Sequence, residues 1–390
     1  MHGNILSLHK IKYSVMLSWY ISKKEMDTKT MKEFSRQTTL EAVNTGKQRN
    51  DVLDVAKGIG MLFVVFAHVN YTPDILVLIY SFHMPLFFIL SGVVFSKAKR
   101  PEFGAFLRYC LKTLIYPYLF FSLAPLALLF VIDFGIARFP IDHELSWYGN
   151  HVLHTFLAYR SATVFNTPLW FVPCLLAVEI LYFWISKLPS RKIAVVCILL
   201  SVFDWLLESK HMPFNNDILP WSLDSAFFVM GFFAVGNLGR RYLLSAIAYI
   251  KGHKNKVLIC LALLCMVGIV WLPLALMNGK ISIGSKILHN GFLLYATGIL
   301  GTLGILIVSI LCEKCRFLKF MGLNTFCIMS VHCLIRNYVI YPAYEVLGIE
   351  KYDSKVLGET IFPFVLILLL SILVTVVYNF LRKKRILIVW

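Results

Sequence analysis

Ten stretches of this chain run to about twenty residues with few charges, and no other feature limits the fold as strongly. A helix needs ~20 mostly apolar residues to cross the hydrocarbon of a bilayer. The stretches lie at about 52–70, 74–96, 112–132, 168–187, 191–208, 219–237, 257–277, 287–311, 320–341 and 360–381. With 58% hydrophobic and 15% charged residues, the composition excludes both a soluble globular domain and a disordered chain. The expected architecture is an all-α polytopic membrane protein with about ten transmembrane helices.

Orientation follows from the basic residues, because cytoplasmic loops carry the lysine and arginine excess. With the N-terminus inside, the cytoplasmic segments collect 29 of the 38 basic residues, and the outer loops hold seven: Arg138, Arg160, Lys210, Lys280, Lys286, Lys351 and Lys355. Lys57 and Arg336 fall within spans. Both termini are therefore expected in the cytoplasm. The net charge of +17 reads as a topology signal and not as a nucleic-acid footprint. Residues 1–50 form a polar, basic tail, residues 51–385 the membrane domain and residues 386–390 the C-terminal end. The tail's apolar patch from Tyr13 to Ile21 is too short to span, and no cleavable signal is apparent. A flexible tail, an interfacial segment and an extension upstream of a later start at Met26 or Met31 all fit it.

The nine cysteines lie in spans or on the cytoplasmic side, where reduced thiols are the default. Cys312-Glu-Lys-Cys315 has a metal-like spacing, but a structural zinc site takes four ligands and no second pair is near, so no metal is expected.

Ionisable groups at membrane depth are expensive and mark function. Lys57 and His68 stand on the first stretch with ten residues between them, about three helical turns, so they share a helix face ~16 Å apart. A neutral imidazole can take a proton near neutral pH, which makes His68 the candidate base. Lys57 can help keep it neutral, or pair with Asp54 three residues earlier. The structural alternative is a snorkelling lysine beside an unrelated core histidine. His68 and His83 flank the hairpin Asn70-Tyr-Thr-Pro-Asp74 and should face one outer vestibule. Asp204, Asp224, His289 and Arg336 fall at similar depth, with Glu179 and His332 nearer the midplane. The outer loop 133–167 carries Asp142, His143, Glu144, Trp147, Tyr148, His151 and His154. It could touch a carbohydrate or simply sit at headgroup level. On the cytoplasmic side Lys97, Lys99, Arg100, Arg108 and Lys112 cluster, as a grip on the phosphates of a nucleotide-bearing donor would require. No Gly-rich fingerprint for ATP or NAD is present.

At these residues the chain resembles the integral-membrane acyltransferase-3 family, including its fucose 4-O-acetylase-like and O-antigen acetylase branches. The resemblance runs from about Asp51 to the last span. It rests on the Lys57-to-His68 pattern, where the family more often has arginine, and on Phe82-His-Met-Pro-Leu-Phe-Phe-Ile-Leu-Ser-Gly92. Weaker echoes are Pro168-Leu-Trp-Phe171 and Met321-Gly-Leu-Asn-Thr-Phe-Cys-Ile-Met-Ser-Val-His332.

The resemblance implies ten helices in a cell inner membrane and no bound cofactor. It also implies acetyl-CoA as the cytoplasmic acyl-donor substrate, and a lipid-linked or cell-envelope glycan, lipopolysaccharide among them, as acceptor. Arg108 and Lys112, spaced by four where Arg-x-x-Arg is commoner, would carry the family's basic pair, joined here by Arg100. His83, Trp170, Glu179, His332 and Arg336 would line the acceptor cavity. The resulting expectation is O-acyl transfer with His68 as base and Lys57 in support, through direct transfer or a covalent acyl-histidine relay. A transporter or flippase of glycan or lipid precursors, and a membrane sensor or scaffold, are the competing readings.

Overall fold

The computed structural model describes residues 50–135, 144–159, 166–209, 219–348 and 353–384. The N-terminal tail, Asp142, His143 and Arg160 lie outside the described residues. The described regular structure is helical, apart from one isolated bridge between Ser282 and Ile287.

The first described helix, α1 (Asp51–Ala67), ends just before His68. Next come α2 (Pro73–Tyr80) and α3 (His83–Val94), broken at Ser81 and Phe82, then α4 (Phe103–Cys110), which continues through a π-helical segment, Leu111–Ile115, into α5 (Tyr116–Gly135). A short α6 (Leu145–Leu157) follows, then a 3₁₀ turn, Thr167–Trp170, that opens α7 (Phe171–Ile185). The second half contains α8 (Ser190–Ser209), α9 (Leu223–Gly252), α10 (Lys256–Asn278) and α11 (Gly291–Leu311). It closes with α12 (Arg316–Leu323), α13 (Thr325–Ile335), a second π segment (Arg336–Ile340), α14 (Tyr341–Val346) and α15 (Leu357–Lys383).

Seven helical stretches are long and apolar enough to cross a membrane, or eight if the bent α12–α14 pair counts as one. Two of the ten expected spans fall short of that measure. The helix α1 has only 17 residues. In α8, Arg191, Lys192, Asp204 and Glu208 dilute an otherwise apolar run. The expected span 320–341 is also not straight: the chain turns by 84° between α12 and α13. The cause is Asn324, whose backbone leaves the helix (φ −117, ψ 20). Its Nδ2 donates to the Phe320 carbonyl at 2.8 Å, and its Oδ1 accepts from Asn379 of α15 at 2.7 Å. Asparagine competes in this way with the helix it would otherwise continue.

Glycines set the central crossings. A Cβ on Gly92 of α3 would meet the Phe233 carbonyl oxygen of α9 at 2.0 Å, and one on Gly236 would meet the Ile89 carbonyl oxygen at 2.0 Å. The same reciprocal approach joins α1 and α12, where Gly58 faces Leu318 and Gly322 faces Asp54. Small residues let backbones close in this way when lipid supplies no hydrophobic drive between helices. Asn237 fixes the α3–α9 crossing further, donating to the Gly92 carbonyl at 3.1 Å and accepting from Tyr182 of α7 at 3.0 Å. At the periphery, α10 turns Leu258, Ile269 and Met277 outward, as a lipid-facing helix does.

Candidate active site

The end of α1 places His68 in the turn just past its last residue, where its Nδ1–H donates back to the Val64 carbonyl at 2.7 Å. That bond fixes the tautomer and leaves the lone pair on Nε2. The same device recurs twice. His332 donates through Nδ1 to the Ile328 carbonyl at 3.0 Å, and His83 to the Ile79 carbonyl at 2.9 Å. His68 and His332 meet edge to face with ring centroids 5.0 Å apart. His83 lies within electrostatic reach of His68, with the Tyr80 ring against it at 4.8 Å. The two histidines flanking the hairpin thus stand near each other, and α13 brings His332 against His68.

Arg336 opens the π segment after α13. Its guanidinium donates to the His68 carbonyl oxygen, to the Tyr71 hydroxyl at 3.0 Å and to Asn337 Oδ1 at 2.9 Å. The hairpin itself is tied down by Asn70, whose amide donates to Thr360 of α15 at 2.8 Å. Arg336, rather than Lys57, is the cation that touches the His68 segment. Lys57 lies some three turns back along α1, with Asp54 at 3.6 Å.

The other expected site residues stand elsewhere. Glu179 is about 18 Å along the helix axis from Thr167, which faces Cys333 at the histidine end. Glu179 instead accepts from the Cys110 thiol at 3.5 Å, within reach of Arg100, whose guanidinium stacks on Tyr109 at 3.5 Å. Arg108 and Lys112 are exposed on the run that carries Cys110, with Arg108 donating to Gly104 and Lys112 inside the first π segment. Such bulges recur at functional sites, and both of them here carry basic residues singled out from the sequence. Trp170 packs under the loop after α10, where a Cβ on Gly284 would come within 2.7 Å of the indole.

Asp204 and the Asp224 carbonyl share the Lys286 ammonium, at 2.8 and 2.5 Å, so Asp204 has a structural partner. His289 takes its place in the same loop, bonded to the Lys280 carbonyl at 3.0 Å. The helix α6 is anchored by Tyr148 donating to Asp133 at 2.6 Å, while His151 lies against Trp147 at 3.9 Å.

Three residues absent from the sequence reading complete the histidine end: Tyr71, Tyr80 and Cys333. The Cys333 sulfur and a ring nitrogen from each of His68 and His332 lie within 4.8 Å of one another. That spread exceeds the ~3.4 Å edges of a tetrahedral zinc shell. A guanidinium faces the group as well, so the set suits proton transfer better than a divalent cation. The signal for Cys333 and Tyr80 was their position beside His332 and His83; nothing marked Tyr71 apart from its place in the hairpin.

The model of an acyltransferase domain matches residues 50–380 of the chain. The chain belongs to the acyltransferase-3 family. No curated protein and no solved structure gives a significant match. Family membership and the apolar helices together make this a multi-pass membrane acyltransferase.

Proposed function

We propose that the protein is an O-acyltransferase moving an acetyl or other short acyl group from cytoplasmic acetyl-CoA to a hydroxyl of a cell-envelope glycan or lipid-linked sugar. The observation that carries this reading is the posture of His68. Its Nδ1–H is spent on Val64, and its half-buried ring leaves Nε2 to accept the hydroxyl proton as the sugar oxygen attacks the thioester carbonyl. General-base assistance of this kind contributes ~10²–10⁴ in rate.

The basic-residue bias supports an inner-membrane topology with both termini in the cytoplasm. The Arg100, Arg108 and Lys112 end then meets acetyl-CoA, and the histidine end meets the acceptor. Direct transfer is the simpler route, since each imidazole has one free nitrogen and His68 is already committed as base.

The test is acetyl transfer from radiolabelled acetyl-CoA into host glycan in membranes, with wild type, His68→Ala and His68→Gln at matched expression. Wild type should label glycan and both variants should fail, glutamine because it cannot take up the proton. Full labelling by either variant would remove His68 from the chemistry. No labelling by wild type would count against acetyl-CoA and glycan as the substrates.

A further inference from the structure

His332 is left incomplete by its own fold. Its Nδ1–H is used on the Ile328 carbonyl, so the lone pair sits on Nε2, and that atom is buried with no hydrogen-bond partner. The residue is 1% exposed, so bulk water does not reach it. A buried acceptor without a donor is destabilising, and an enzyme gains from keeping one where a donor arrives during the reaction. The ring that faces His332 is His68. Neutral His68 has no N–H to spare, because Nδ1–H is bonded to Val64. Protonated His68 has one, on Nε2.

Resting on the reading of His68 as base, we infer that His332 is a positioning residue that holds the transferred proton jointly with His68. The acceptor O–H gives its proton to His68 Nε2 as the oxygen–acyl bond forms. The thioester C–S bond breaks, and the pair then gives that proton to the departing CoA thiolate. No other reactant is needed.

The groups facing the pair explain why a partner is useful. Arg336 and Cys333 come from the same helical run as His332, Tyr71 from the hairpin, and Tyr80 and His83 from α2 and α3. The α15 helix meets this end through Thr360, bonded to Asn70. Arg336 is a permanent cation and opposes a positive charge on His68. The His332 lone pair offsets that opposition without adding charge.

The experiment compares kcat, KM for acetyl-CoA, pH profile and thermal midpoint of the purified full-length protein for wild type, His332→Leu, His332→Gln and the control His68→Ala. His332→Leu should lower kcat about 10- to 100-fold, at or below the lower end of the ~10²–10⁴ that general-base help supplies, and leave KM nearly unchanged. The acid limb of its kcat profile should move to lower pH, because protonated His68 has lost its acceptor. Its thermal midpoint should hold or rise, since an apolar side chain replaces an orphaned acceptor. His332→Gln, which can accept a hydrogen bond but cannot carry a proton, should fall between. Wild-type kcat in His332→Leu, or a lowered kcat with an unmoved acid limb, overturns the inference and leaves His68 as base. Full activity in His68→Ala overturns both.

Discussion

On the proposed reading, Arg336 and Lys57 divide two cationic tasks that the sequence alone could not apportion. Arg336 reaches the His68 carbonyl, Tyr71 and Asn337 at once, which only a guanidinium fork can do. Arg336→Lys should therefore lose kcat by up to ~10²-fold through misplacement of His68, with the hairpin loosened and protein levels near normal. Lys57→Met should act at the other end of α1 and appear as a raised KM for acetyl-CoA with kcat largely kept. Steady-state kinetics of the two variants decide the matter, and the reverse split would exchange the assignments. His68 itself was legible because its spacing from Lys57 is local to one helix. The company it keeps was legible only in part: His83, His332 and Arg336 stood among the expected cavity residues, but Cys333, the bonds of Arg336 and the orientation of His332 depend on tertiary packing from the far end of the chain.

At the scale of elements, apolar periodicity found the helices but not how they are cut or crossed. The break at Asn324 depends on a bond to Asn379 that no local window contains. The long α9 helix continues beyond its most apolar part to Gly252, and the continuation stays packed, with Ile247 buried and Leu243, Leu244 and Ile250 in the same cluster. The crossings rest on missing side chains. A Cβ on Gly322 would lie 1.7 Å from the Asp54 carbonyl oxygen, backbone against backbone, so neither partner can give way by changing rotamer. Gly322→Ala should cost about 1–3 kcal/mol or more as α12 is pushed off α1. Gly104→Ala, with open space around it in α4, should be neutral or stabilising by about 0.5–1 kcal/mol. Thermal unfolding of the two variants against wild type provides the comparison. Equal midpoints would mean that the α1–α12 contact contributes nothing to stability.

Among the described residues, the polar groups singled out for function gather at a histidine end and an Arg100–Glu179 end, while an ion pair with a buried carboxylate holds the loop after α10. Lys286 holds Asp204 at 2.8 and 2.9 Å from a left-handed backbone position (φ 57) that a lysine adopts only at a cost. Lys286→Ala should destabilise by about 3–5 kcal/mol, because Asp204 stays buried without its cation. The double variant Lys286→Met with Asp204→Leu should recover most of that loss in the same melting assay.

On the proposed topology, the separation of the two ends gives the molecule a direction. Arg100, Arg108 and Lys112 lie on segments whose charge assigns them to the cytoplasmic face, while His68 lies about three turns from Lys57 toward the other face. The donor should therefore be usable from one side only. Everted vesicles should transfer acetyl from externally added acetyl-CoA, which does not cross the bilayer, whereas right-side-out vesicles should do so only after permeabilisation. Equal transfer by both intact preparations would show that the donor is usable from either face and would overturn the one-sided reading.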